Sequence, residues 1–166
     1  IKVLEVADRL RRIVIPEPPE PVRAFADRKL HPRPLELRRI DVTDSMNFRE
    51  AHLLGGVDVG EAAFGRNIDF AEATLGGFID FHRAQVGQNL TLRGANLEDG
   101  QGFRFLGLSA SRILLGRETV EGHVHHENEG KYWFASQEYA FLWSVFRQNS
   151  MFEEEDWAYY GFKRLE

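Results

Sequence analysis

The residue types best suited to chemistry gather at one place in this 166-residue chain. His123, His125 and His126 stand among Glu121, Glu127 and Glu129, and imidazoles with carboxylates are a metal-binding donor set. Their spacing matches no pattern tied to a metal geometry, and Gly122 and Gly130 bracket them in a polar stretch. The expectation is a solvated connection, with neither a metal nor another cofactor assigned. A second set of carboxylates, Asp58, Asp69 and Asp80, recurs together with Glu50, Glu61 and Glu72. Paired carboxylates serve acid–base catalysis when they share a cleft. This spacing sends Asp58 and Asp80 to one side and Asp69 to the opposite one, so a solvated face is expected instead. Cysteine is absent, which excludes disulfides, thiolate sites and thiol nucleophiles. The glycines follow neither dinucleotide-binding nor phosphate-loop order. No catalytic residue is assigned, and the chain reads as non-enzymatic.

What positions these residues is a repeat. Alanine recurs at every eleventh position, at Ala51, Ala62, Ala73, Ala84 and Ala95, each followed two positions later by Leu53, Phe64, Leu75, Val86 or Leu97. A second series interleaves at Phe48, Val59, Phe70, Phe81, Leu92 and Phe103, preceded two positions earlier by Met46, Val57, Ile68, Ile79, Leu90 and Gln101. Such a period also suits a right-handed coiled coil. The many glycines between 55 and 102 argue against it, because each costs a helix interior about 1 kcal/mol relative to alanine. Apolar-x-apolar triplets separated by polar or glycine residues suit brief extended segments that turn a corner each time.

These units resemble the pentapeptide-repeat family. Ala95-Asn96-Leu97-Glu98-Asp99 fits its Ala-(Asp/Asn)-Leu-x-x pattern directly, and Ile68-Asp69-Phe70-Ala71-Glu72, Ala73-Thr74-Leu75-Gly76-Gly77 and Ile79-Asp80-Phe81-His82-Arg83 fit it with looser small positions. The likeness covers roughly residues 35–115, and departs from the family by adding a sixth residue to every second unit and by placing Ile, Val or Leu at small positions. It implies a right-handed quadrilateral β-helix, an all-β solenoid. Sides of alternately five and six residues make each coil about 22 residues long, and the repeat then spans about three and a half coils. Expected inward columns are Phe48/Phe70/Leu92/Leu114, Leu53/Leu75/Leu97, Val59/Phe81/Phe103 and Val42/Phe64/Val86/Leu108. Ala51/Ala73/Ala95 and Ala62/Ala84/Leu106 form the small columns.

A solenoid has two open ends and needs caps. Residues 1–34 read as an N-terminal cap or linker, with a helix or strand before Pro16 and a proline-rich run at 16–21. Residues 116–135 read as the connection. In 136–166, Tyr139, Leu142, Trp143 and Phe146 have helical spacing, and Ser150 to Glu153 has that of a capping box before a second helix, so a C-terminal αα-hairpin cap is expected. Its aromatics, Tyr139, Trp143, Phe146, Trp157, Tyr160 and Phe162, exceed what one contact with the last coil is expected to bury, which marks a candidate interface. The segment 141–166 also resembles helices that follow the repeats in bacterial pentapeptide-repeat proteins continuing into membrane-embedded regions. That likeness implies a longer protein.

Charge is uneven: residues 1–43 carry +3, 44–115 carry −3 and 116–166 carry −5. An acidic body does not wrap nucleic acid. The sequence therefore points to a protein-interaction scaffold of unidentified partner, self-associating through its C-terminal helices, cytoplasmic or tethered to a membrane by a region outside these residues. The alternative is a DNA-mimicking modulator of a type II topoisomerase such as gyrase, which the resemblance brings with it.

Overall fold

A computed structural model describes residues 33–98 and 101–166. The expectations for the segment before Pro16 and for the proline-rich run fall outside the described residues. From Leu35 onward the apolar-x-apolar triplets become two-residue strands. The first coil holds β1 (Leu35–Glu36), β2 (Asp41–Val42), β3 (Met46–Asn47) and β4 (His52–Leu53). The second holds β5 (Val57–Asp58), β6 (Ala63–Phe64), β7 (Ile68–Asp69) and β8 (Thr74–Leu75). The third holds β9 (Ile79–Asp80), the long β10 (Gln85–Thr91) and β11 (Asn96–Leu97), and the fourth holds β12 (Phe103–Arg104) and β13 (Ser109–Leu114).

Strands of successive coils pair in parallel. One face is β1-β5-β9-β12 and another is β4-β8-β11. Two more, β2-β6 and β3-β7, meet along β10, with β13 beside it. The chain is thus a β-solenoid of about four turns followed by helices. Leu35 pairs with Val57 and Val57 with Ile79, and Met46 pairs with Ile68 and Ile68 with Leu90. Each rung therefore repeats the last at the separation that also joins Asn67 to Ser45 and Asn89 to Asn67, 22 residues.

The two kinds of unit turn their corners differently. Arg39, Glu50, Glu61, Glu72 and Arg83 recur at every eleventh position with φ between 54° and 59°, and Gly94 continues the series at 69°. Each is a left-handed corner that closes a five-residue unit, such as Ile68-Asp69-Phe70-Ala71-Glu72. The aspartates expected on a solvated face build these corners: Asp58, Asp69 and Asp80 each accept, at 2.8 Å, the backbone N–H two residues on, and Asn47 does the same. Asp80 is buried, against that expectation.

Inside the coils, Phe48 stacks on Phe70 with ring centroids 4.7 Å apart, and Phe70 meets Phe81 edge-on at 6.0 Å. Val59, Phe64, Leu75, Val86, Leu92 and Leu97 are buried with them, as are Ala62, Ala73, Ala84 and Ala95. Leu53 and Ala51, in the first coil, are only partly buried.

The register expected for the last coil is corrected. Ile79 pairs with Phe103 and Gln85 with Ser109, a step two positions longer than the regular one, and the excess falls to one position at Leu90 and Ile113 after an irregularity beyond Val86. Two extra residues enter after Leu97, and the next left-handed corner falls at Gly107 (φ 73°). Phe105, not Phe103, therefore stacks under Phe81, centroids 6.1 Å apart. Leu108 is buried at the turn equivalent to Ala84, Ala110 lies beside Val86, and Leu115 rather than Leu114 lies beyond Leu92 in the core.

Four helices follow: α1 (Arg117–Val120), α2 (His125–Asn128), α3 (Tyr132–Gln148) and α4 (Phe152–Leu165). The connection expected at 116–135 is thus partly helical, and α3 starts at Tyr132, ahead of the expected Ser136. Ser150 does not cap α4; it has φ 58°, and Met151 is the N-cap without a side-chain bond. Helix α3 covers the open edge of the last coil, burying Ala135, Leu142 and Phe146, with Phe141 on the ring of Phe105. Backbone groups left by the last rung are met by side chains. Phe105 N–H donates to Glu138 Oε1 at 3.0 Å, and Asn149 Nδ2 donates to the Ile113 carbonyl at 2.8 Å. Helix α4 packs on α3, close enough that a Cβ at Gly161 would stand 2.4 Å from the Tyr139 ring.

Candidate functional site

The polar contacts that the repeat does not explain converge where the solenoid meets the helices. Residues 123 and 124 extend the first face by one more rung: Phe103 N–H donates to the His123 carbonyl at 2.7 Å, and buried Val124 bridges Phe103. Gly102 permits this approach, since a Cβ there would meet the His123 carbonyl oxygen and His125 Cα at 2.8 Å. The short helix α2 is thereby pinned to the end of the rod. Its first three residues each reach a different neighbour.

His125 faces the solenoid. Its Nε2 lies 2.6 Å from Arg104 Nη2 and 3.1 Å from Glu129 Oε1. Arg104 also pairs with Asp80 at 3.3 Å and lies over the Phe78 ring, 5.0 Å from its centroid. Burial and the Arg104 charge hold His125 below its ordinary pKa, so the neutral ring is favoured. Lys131 and the neighbouring cations hold Glu129 ionised.

His126 faces α3. Its Nδ1 stands 3.0 Å from Glu138 Oε1 without forming a hydrogen bond, so the two groups attract as charges only when the ring is protonated and the carboxyl ionised. Glu138 is 0% exposed, and its Oε2 has no hydrogen-bond partner. Burial pushes its carboxyl above the ordinary range, with His126 and the Phe105 amide pulling the other way. Glu127 joins α3 to α4: Tyr139 Oη donates to Glu127 Oε2 at 2.6 Å, and Arg164 pairs with Glu127 Oε1. Burial and that carboxylate raise the Tyr139 pKa.

The expectation of a solvated histidine connection is therefore corrected. The side chains of His125 and His126 are largely buried against protein, while His123 Nδ1 lies 2.9 Å from the Gln101 carbonyl. Among the described residues, no three carboxylates, histidines or cysteines are arranged to hold a metal ion. No family model, curated protein or solved structure matches the chain. What the site does rests on its own geometry.

The six candidate interface aromatics do not form one free surface. Tyr139 and Phe146 are buried, and Trp157 packs edge-on against both. Trp143 stacks on Phe162 and donates from Nε1 to Glu155 at 3.1 Å. Tyr160 alone of the six projects outward, 70% exposed. The aromatic surface is instead at the start of α3, where Tyr132, Trp133 and Phe134 are 58%, 68% and 42% exposed, and Phe134 reaches the His126 ring. Sequence reasoning missed this run because it places the helix start after it. The signal was three consecutive aromatics directly following Gly130-Lys131.

Proposed function

We propose that the chain is a non-enzymatic protein-interaction module of the pentapeptide-repeat type, a short rod that presents an aromatic surface at its helical end. The observation that carries this reading is the exposed run Tyr132-Trp133-Phe134. Consecutive exposed aromatics are unfavourable in water and are the residue types enriched at the centres of interfaces. The repeat supports the reading in another way: many of its charges are paired between neighbouring coils. Arg38 and Arg39 pair with Glu61, Arg49 with Asp69, Arg66 with Asp44 and Arg104 with Asp80. A DNA-mimicking surface asks for unpaired acidic groups, so this pairing favours the scaffold over the topoisomerase modulator.

No helix among the described residues is long and apolar enough to cross a membrane. Tethering to a membrane, like a cytoplasmic location, belongs to the proposal and would act through another region. The first partner to test is a second copy. Sedimentation velocity over a concentration series should show a reversible dimer, and Trp133→Ser with Phe134→Ser should abolish it while leaving the melting temperature close to that of the parent. A parent chain that stays monomeric throughout would remove self-association, and a dimer unaffected by the substitutions would remove this surface.

A further inference from the structure

His125 Nε2 is within bonding distance of a group that can only donate and of a group that, ionised, can only accept. Arg104 Nη2 lies 2.6 Å from it and Glu129 Oε1 lies 3.1 Å from it. One nitrogen cannot serve both. Without a proton it accepts from Arg104, which ties α2 to the solenoid. With a proton it repels Arg104 and donates to Glu129, which closes a contact local to α2. We propose that α2 is a pH-operated clasp in which proton binding at His125 Nε2 exchanges the solenoid arginine for Glu129 and loosens the helical end from the rod.

The surrounding charges make the exchange consequential. On the solenoid side Arg104 is held by Asp80 and lies over Phe78, so it cannot follow the imidazole without losing both, and its Nη2 also stands 3.8 Å from Glu129 Oε1, the oxygen for which the protonated ring competes. On the α2 side Glu129 is kept ionised, with Lys131 at 2.8 Å. His126 is the adjacent ring, 5.6 Å away, and faces Glu138 of α3. Glu127 on the same helix is engaged by Tyr139 of α3 and Arg164 of α4. The direction follows from burial and Arg104, which lower the His125 pKa in the closed state below its ordinary value of 6.5. The closed clasp is therefore fully favoured above that value and is lost as pH falls from it toward the lower, closed-state pKa. Glu138, whose pKa is raised, works in the opposite sense.

Two measurements on the whole chain test this. Nitrogen-15 spectra of the histidine side chains should show Nε2 of His125 unprotonated about one pH unit above the ordinary histidine pKa, and a protonated Nε2 there would overturn the proposal. Hydrogen exchange, corrected for intrinsic pH dependence, should show opening of residues 123–131 increasing by up to about tenfold per pH unit across the window. His125→Gln, which keeps an acceptor but cannot titrate, should remove that slope, whereas His126→Gln should retain it. Glu129→Gln should move the transition to lower pH, because the protonated ring loses its anionic acceptor. An unchanged slope in His125→Gln, or an unmoved transition in Glu129→Gln, would also overturn it. None of these readouts depends on whether the aromatic run binds a partner.

Discussion

The body of the rod and its helical end are held together by different kinds of contact. In the body the same interaction recurs one coil later: Asn67 donates to Ser45 and Asn89 to Asn67, each pair 22 residues apart. Corner aspartates repeat, rings stack on rings, and charges sit on the rim. At the end each contact occurs once and at no fixed separation, from 12 residues for Glu127 and Tyr139 to 33 for Phe105 and Glu138 and 37 for Glu127 and Arg164. Several are buried. Shape comes from repetition, and the stopping of that shape comes from singular polar contacts with no periodic signature.

The contrast breaks most sharply at Phe70. Phe70→Asp places an unpaired carboxylate at a fully buried position between Phe48 and Phe81 and should cost several kcal/mol. Asp69→Asn beside it should stay within about 0.5 kcal/mol, because Asn47 already makes the same turn. Chemical denaturation of the two variants checks this, and equal midpoints would refute the inward register. Next in size is removal of residues 136–166, which uncovers Phe105 and leaves its N–H and the Ile113 carbonyl without their helical partners. Light scattering should show aggregation of the truncated protein, and a form as soluble and heat-stable as the parent would remove the capping role.

A smaller effect separates charge from hydrogen bonding at the cap. Glu138→Leu strands the Phe105 N–H and should cost about 1–3 kcal/mol, while Glu138→Gln keeps an acceptor and should cost less. The raised Glu138 pKa fixes the pH dependence. Its contribution is fully present below the ordinary value of 4.5 and lost as pH rises through the folded-state pKa, so the parent should gain on Glu138→Gln as pH falls. Melting curves at several pH values measure the difference. The smallest effect lies on the rim. Arg39 and Arg38 hold Glu61 down to about 2, so Arg39→Ala should raise its titration midpoint, read by NMR, with no measurable change in melting temperature.

The repeat could be read from the chain because inward positions in a solenoid have little choice: Phe48, Phe70 and Leu92 fall at a fixed step and are all apolar. The last coil could not be read so well, because Phe103 and Phe105 are both apolar and either would satisfy an inward column. The corner glycines held the missing information, since Gly107 follows Gly94 two positions later than the spacing of earlier corners, such as Glu72 and Arg83, would place it. The junction was least legible. His125 and His126 look solvated among glutamates, and only Val124, an apolar residue within that polar run, signals that the segment lies against the rod. A burial that depends on contacts such as Phe105 with Glu138 leaves no periodic trace.

The constant step between coils has a consequence for length. Up to Leu97 every rung repeats the one a full coil before it, so a duplicated coil inserted in phase would find the same neighbours above and below. It would separate the first coil from the aromatic surface by one further sheet spacing, about 4.8 Å, and leave the helical end untouched. An insertion out of phase by a single residue would turn the inward columns to solvent. The rod is a ruler graduated in whole coils, and the distance it sets between its two ends can change only by those graduations.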